Sequence, residues 1–503
     1  MGRPTICLCF AIALLCLPAW AQSSGRKTSA LALDSSDTRL VKAFDWAKQQ
    51  ALAYVFEGDP VGPWYEAALP GRASFCMRDV SHQSMGAHAL GLSLHTRNML
   101  RRFAENISDS KDWCTYWEID RLNHPTAVDY RNDGDFWYCL PANFDVLDSA
   151  YRMYLWTGDP DYVSDPVFLN FYNRTVHDYV ARWQLDLEHV MTRPPRMNLK
   201  AERDPASRFE RARGIPTYDE SRGPFTVGVD LLATQYAAYR AYAFMQAVRG
   251  DTGAAQKFYA EAARVKALVN DKWWDAKTQR FYAALDRNHQ FQGHAGADLL
   301  YRDVTEGGPK TQGALNDLLD RIRNQTGGIE AQSYQPEILY RYGAPDVAYA
   351  QIMDLTREGK RRREYPEVSY AVIGAIVTGL IGVTVEASPQ ASSLNGVPEI
   401  AVRTYPGLTT ETWWAELRHL PVRDNEITVR QVATRETTLT NLHGPVLTWK
   451  AMFPGTFESL LVDGKLVKAH TEQLPMGHSG SWVTVTVRTG KTAKVEAPGT
   501  PEQ

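Results

Sequence analysis

The chain has 503 residues, with 55 Lys plus Arg against 58 Asp plus Glu and a formal net charge of −3. That balance gives no general attraction to nucleic acid or to an anionic membrane surface. The length exceeds the roughly 250 to 300 residues that one hydrophobic core supports, so at least two domains are expected.

In chain order, Met1-Gly2-Arg3 is followed by an apolar stretch over 6–17 and then by Ala19-Trp20-Ala21, the small-x-small pattern of a signal-peptidase site. The mature chain is expected to begin at Gln22, exported to a periplasmic or extracellular space. The apolar stretch is shorter than the roughly 20 residues that span a bilayer, so no membrane insertion is expected. Cys7, Cys9 and Cys16 leave with this leader, and Cys76, Cys114 and Cys139 remain. One bridge plus a thiol, or three packed thiols, both fit that odd number.

From 37 to 383 the periodicity predicts helices over 38–56, 81–105, 143–157, 161–185, 227–249, 252–275, 311–323, 333–342, 345–358 and 367–382. They alternate in character. Segment 227–248 is apolar nearly all round, whereas 251–275 carries one apolar stripe. Segment 367–382 is again apolar throughout, with Gly374 and Gly379 allowing close approach of neighbours. Buried helices alternating with half-exposed ones are what a double ring of helical hairpins requires. Between 186 and 225, Pro194, Pro195, Pro205, Pro216 and Pro224 mark a long loop, expected over one mouth of the ring.

Beyond 386 the pattern changes to short alternating runs at 427–432, 437–441, 446–449, 460–462 and 482–488, with a hairpin turn at Asp463-Gly464. The fold class expected is therefore an (α/α)6 helical toroid followed by an antiparallel β-sandwich. The expected boundaries are a signal peptide at 1–21, the toroid at 22–384 and the sandwich at 385–503.

Four loops that enter inner helices carry chemistry. The first holds Trp64, Tyr65, Arg78, Asp79, His82 and Gln83; an N-cap accounts for Asp79 alone, but not for the other polar groups crowding that turn. The second, 129–138, interleaves Asp133 and Asp135 with Trp137 and other aromatics, a pattern that suits a sugar subsite. A calcium loop is the alternative, but Arg131 and Leu140 stand where oxygen ligands are needed. The third holds Tyr218, Asp219, Glu220 and Arg222, and the fourth Glu364 and Glu367. Such loops open on one face of a toroid, so acids far apart in sequence can converge there. The 14 Trp and 24 Tyr supply rings able to stack on pyranose faces. Each acid taken alone also fits a charge that stabilises a helix N-terminus.

The Arg-Asp-x-x-x-Gln pattern at Arg78, Asp79 and Gln83 resembles the substrate-holding motif of six-hairpin glycosidases. The β-sandwich, with Trp413-Trp414-Ala415-Glu416, is similar to the C-terminal domain of α-L-rhamnosidase-like enzymes. The resemblance covers the mature chain, except that the large N-terminal β-domains of rhamnosidases have no counterpart. It implies that Arg78 and Asp79 grip sugar hydroxyls, that Glu220 or Asp219 is the general acid, and that Glu367 or Glu364 is the base. It also implies inversion at the anomeric carbon. A glycoside hydrolase acting on an oligosaccharide or polysaccharide is thus the leading expectation.

The basic run Lys360 to Arg363, beside the expected base, keeps a uronic acid substrate open. A polysaccharide lyase using Tyr65, His82, Tyr218 and Arg222 is the rival among enzymes, and a glycan-binding protein without turnover is the rival outside them. No metal-ligand spacing, phosphate-binding glycine loop or serine nucleophile elbow stands out, so no metal or cofactor is expected. Three Asn-x-Thr/Ser triplets, at Asn106, Asn173 and Asn324, matter only in a host that glycosylates exported chains.

Overall fold

A computed structural model describes residues 27–194, 208–209, 212–220, 225–387 and 400–499. The expected leader, its cleavage point and Arg222 lie outside them.

In chain order the helices are α1 (Thr38–Ala53), α2 (Met77–Ala89), α3 (Ser93–Glu105), α4 (Pro141–Thr157), α5 (Asp161–Ser164), α6 (Pro166–Arg174), α7 (Val180–Arg182), α8 (Val229–Val248), α9 (Thr252–Lys272), α10 (Ala297–Tyr301), α11 (Gly308–Arg323), α12 (Ile329–Ser333), α13 (Gln335–Arg341), α14 (Pro345–Thr356) and α15 (Pro366–Ala375). Helices α2, α4, α8, α10, α13 and α15 pack in succession, and α15 returns against α2 to close an inner ring. Outside it, α3 backs α2, α9 backs α8, α11 backs α10, α14 backs α13, and α1 backs α15. Helix α6 continues through a π turn, Thr175–Tyr179, whose Tyr179 ring meets Phe144 of α4 at 5.7 Å. The result is the expected (α/α)6 toroid.

Burial follows the two sequence textures. Helix α8 is buried from Val229 to Gln246 with the single exception of Arg240, whereas α9 buries only the stripe that includes Ala255, Phe258, Ala262, Val265 and Val269. Glycine fixes the ring's closure. A Cβ on Gly86 would lie 1.9 Å from the Tyr370 carbonyl oxygen, so α2 and α15 pack backbone to backbone at that point.

Three features depart from or add to the sequence reading. Segment 81–105 is two helices, because Gly91 takes φ +84 and reverses the chain between α2 and α3. The stretch after α9 forms a hairpin of Arg280–Asp286 and Phe291–Ala295 that leads into the short α10. The domain boundary also moves. Strand Val383–Ala387 already belongs to the sandwich, and so does Ala32–Ser35, which pairs antiparallel with Trp414–Val422 in the register Leu33↔Leu417. Both of those leucines are buried in the core, which holds the first strand in the last domain.

The sandwich stacks a seven-stranded sheet on a five-stranded one. Strict alternation of burial along Asn425–Val432 matches the period-2 pattern of its sequence. Asp463 and Gly464 take φ +47 and +79 in the tight turn joining Ser459–Val462 to Lys465–Lys468. Cys76, Cys114 and Cys139 are buried free thiols, which settles the choice the odd count left open. Among the described residues no helix is long and apolar enough to cross a membrane.

Candidate active site

The N-terminal turns of α2, α8, α10, α13 and α15 meet at one mouth of the toroid. That mouth is a cleft of about 970 Å³ whose lining includes Arg78, His82, Tyr218, Asp219, Glu220, Asp230, Asp298, Glu330, Gln335 and Glu367. The opposite mouth faces the sandwich. Five inner helices carry an acid in the first turn: Asp79 on α2, Asp230 on α8, Asp298 on α10, Glu337 on α13 and Glu367 on α15; Glu337 lines the opposite mouth. Asp79 caps nothing, since α2 begins two residues before it and Cys76 is the N-cap.

Arg78 organises the site. Its Nη1 faces Glu220 Oε1 at 3.4 Å, its Nε faces Asp79 Oδ1 at 3.5 Å, and its guanidinium lies 5.5 Å from the centre of the Tyr218 ring. Asp79 and Glu367 are neighbouring buried carboxyls, each acting on the other's ionisation. Burial pushes Glu367 well above the usual carboxylate range, and the adjacent Asp79 pushes it further. Asp79 is raised as well, by burial, with the Arg78 charge opposing the shift. Two carboxyls this close beside a fixed cation titrate as a pair. Across Arg78, Glu220 keeps 39% of its side chain exposed. It too is raised, by desolvation first, with Asp79 and Asp129 adding to the shift against Arg78.

A second acid pair lies on the facing wall. Asp230 accepts from the Thr217 hydroxyl at 3.0 Å and from the Tyr218 N–H at 2.5 Å. Burial and the neighbouring Asp298 charge raise its pKa to about 7. His82 is held neutral by burial, and by the Arg302, Arg78 and Arg152 charges, between the rings of Tyr301 and Tyr334. At the floor, Gln335 is 4% exposed, yet its Oε1 meets no protein donor. Gln83, wholly buried on α2, has no protein partner for either amide atom. Unsatisfied buried amides of this kind need water or ligand hydroxyls. Below the cleft, Tyr218 donates its hydroxyl to Asp145, which pairs with Arg302; Arg302 reaches Asp148 at 2.5 Å.

Arg78, Asp79, His82, Tyr218, Asp219, Glu220 and Glu367 thus come together as expected. Trp64 and Tyr65 do not. They are core residues, with the Trp64 indole donating to Asp59 at 2.8 Å and the Tyr65 hydroxyl bonded to Thr96 at 3.0 Å. The 129–138 hairpin uses its acids to hold its own shape. Asp133 accepts from Tyr130 at 2.5 Å, and Asp135 accepts the N–H groups of Arg208 and Phe209 at 3.1 Å each. Neither of these acids nor Trp137 is among the described residues lining the cleft. Glu364 is exposed, 3.5 Å from Arg363, on the outer side of the same turn. The basic run also points away: Lys360 pairs with Asp354 at 2.5 Å, and Arg363 covers Trp46. Among the described residues no cluster of His, Cys, Asp and Glu could hold a metal ion.

Asp230 and Asp298 were missed by sequence reasoning. Asp230 obeys the rule that singled out Glu367, an acid opening an apolar helix, whereas Asp298 opens a helix of five residues, too short for its periodicity to show.

No protein-family model and no curated protein matches the sequence. Solved structures do match its fold. An α-L-rhamnosidase from Dictyoglumus thermophilum superposes with a TM-score of 0.57 at 13% identity, over 93% of this chain and 51% of that one. An α-L-rhamnosidase from Aspergillus terreus gives 0.52 at 12%, over 92% and 51%. A protein described as a kojibiose phosphorylase, from the human microbiome, gives 0.53 at 11%, over 92% and 68%. The chain spans about half the length of the two rhamnosidases. What is shared is the fold, a helical toroid joined to β-structure.

Proposed function

We propose that the protein hydrolyses glycosidic bonds, with Glu220 protonating the departing oxygen and the Glu367–Asp79 pair accepting a proton from the attacking water. One observation carries this reading: Arg78 stands between a half-exposed carboxyl at the open wall, Glu220, and a buried carboxyl pair, Asp79 and Glu367, and burial raises all three. Hydrolysis needs an acid and a base on opposite sides of the scissile bond. The deep position of Glu367 suits activation of water beneath the sugar. The rim position of Glu220 suits a leaving group that exits outward. The water-activating role proposed for Glu367 entails inversion, and proton NMR of the first anomer released tests it.

The fold's likeness to two rhamnosidases favours glycosidic chemistry and leaves the sugar open. A lyase is less well supported, because Tyr65 lies in the core and burial pushes the Tyr218 hydroxyl far above the range of a useful base. Glu220→Gln and Glu367→Gln are each expected to lower turnover of a cleaved aryl glycoside by at least about 100-fold, each acid–base contribution typically being 10²–10⁴. Both variants should keep the wild-type melting profile. Full activity in either removes the assignment. Saccharide binding by the wild type with no turnover across a broad aryl glycoside panel favours the glycan-binding alternative.

A further inference from the structure

A second cavity, of about 420 Å³, occupies the other mouth of the toroid, between the C-terminal halves of α4, α8, α10 and α13 and the edge of the sandwich. That volume lies in the range of small-ligand pockets. Arg240 opens into it, the one exposed residue of α8 between Val229 and Gln246. Nothing in the packing of a buried inner helix calls for an arginine there.

The other guanidinium groups on the wall are paired. Arg152 and Arg302 meet Asp148 at 3.1 and 2.5 Å, Arg341 meets Glu337 at 2.7 Å, and Arg403 meets Glu386 at 2.8 Å. Arg240 forms no ion pair among the described residues. It donates one long hydrogen bond, 3.4 Å, to the Tyr236 hydroxyl and rests over that ring at 5.4 Å. Asp303, also exposed, lines the same cavity, as does the half-buried ring of Tyr151. A fork of donors, an acceptor and an aromatic face are therefore offered together.

We propose that this second mouth binds a sugar acid, its carboxylate on Arg240, its ring against Tyr151 and a hydroxyl toward Asp303. A guanidinium without a carboxylate partner pairs bidentately with a carboxylate. The Asp303 and Asp148 charges reach Arg240 only through space, so a neutral sugar leaves its guanidinium without a bidentate partner, and a bare carboxylate forgoes the ring and the acceptor. The site is separate from the catalytic cleft and does not depend on the reading of Glu220 and Glu367.

Calorimetric titration of the full chain tests it, with glucuronate, glucose and acetate as probes. Glucuronate is expected to bind at one site, about tenfold tighter than glucose or acetate on the unmodified protein. Arg240→Gln should lose about tenfold in glucuronate affinity while leaving glucose unchanged. Glu367→Gln, altered at the opposite mouth, should bind glucuronate as the wild type does. The proposal is overturned by absent glucuronate binding, by glucose or acetate binding within threefold of it, by an Arg240→Gln loss below threefold, or by loss of binding in Glu367→Gln. Should Arg240→Gln fold poorly, the preference among the three probes still decides.

Discussion

At the scale of single residues, the cleft stores unfavourable charge, and Asp230 shows how much. Its carboxyl is buried, and its pKa is pushed up to about 7 in the folded protein from an ordinary 3.8, because burial and Asp298 both oppose ionisation. For a carboxyl raised in this way, the stabilising contribution is complete below the unfolded value and is lost as pH rises through the folded one. The window is thus pH 4 to 7, and above it the ionised group costs up to about 4 kcal/mol, at roughly 1.4 kcal/mol per pH unit. Asp230→Asn keeps the acceptor for Thr217 and the Tyr218 N–H but cannot ionise. It should melt with the wild type at pH 4 and several degrees above it at pH 8. Melting curves that stay parallel from pH 4 to pH 8 would contradict this. Sequence could not rank Asp230 beside Glu367, because the Asp298 charge that perturbs it comes from a helix 68 positions further along, by residue number.

At the scale of elements, the geometry of the acids depends on how closely α2 meets α15. Gly374 was legible in the sequence as a small residue in an apolar helix, and it does face α2. Its partner Gly86 was not, because the segment around it reads as one long amphipathic helix rather than the first half of a hairpin. The two glycines differ sharply in consequence. A Cβ on Gly86 would enter the Tyr370 carbonyl at 1.9 Å, whereas one on Gly374 would touch the Gly86 nitrogen at an ordinary 3.5 Å. Backbone cannot step aside as a side-chain tip can. Gly86→Ala should therefore destabilise by about 3 kcal/mol or more, and by separating Asp79 from Glu367 it should also lower kcat. Gly374→Ala should fall within about 1 kcal/mol of the wild type, since the contact is ordinary and alanine prefers the helix. Denaturant midpoints of the two variants check the contrast, and equal midpoints would remove the close-packing argument. The wall formed by Arg280–Asp286 and Phe291–Ala295 was illegible for a different reason: its strands are only partly buried and lack the clean alternation found in the sandwich.

At the scale of the whole molecule, sequence texture separated toroid from sandwich but concealed how firmly they are joined. The first strand, Ala32–Ser35, sits in the last domain and leads straight into α1, which backs α15. Arg423 of the sandwich donates its backbone N–H to the Trp156 carbonyl at 2.5 Å and its guanidinium to that of Leu155 at 3.0 Å. Gln431 reaches the Ile381 carbonyl at 2.8 Å. Buried His88, at the C-terminal end of α2, lies 3.0 Å from the Pro421 carbonyl through Nε2 and 2.8 Å from the Ser93 hydroxyl through Nδ1. A carbonyl can only accept, so Nε2 carries the proton and Nδ1 accepts from Ser93. Burial lowers the His88 pKa to about 4 from 6.5. For a base lowered in this way, folding excludes the charged form, so stability is intact above 6.5 and falls as pH drops toward 4, by up to about 3 kcal/mol. The two domains should unfold in one calorimetric transition at pH 7, because separating them strands these buried donors and carbonyls. His88→Gln retains an amide donor for Pro421 but takes up no proton. The gap between wild-type and His88→Gln melting temperatures should therefore shift in favour of the variant as pH falls from 6.5 to 4. A gap that stays constant over that range would show that His88 is not what couples the joint to pH, and two resolved transitions at pH 7 would show that the joint itself is weak.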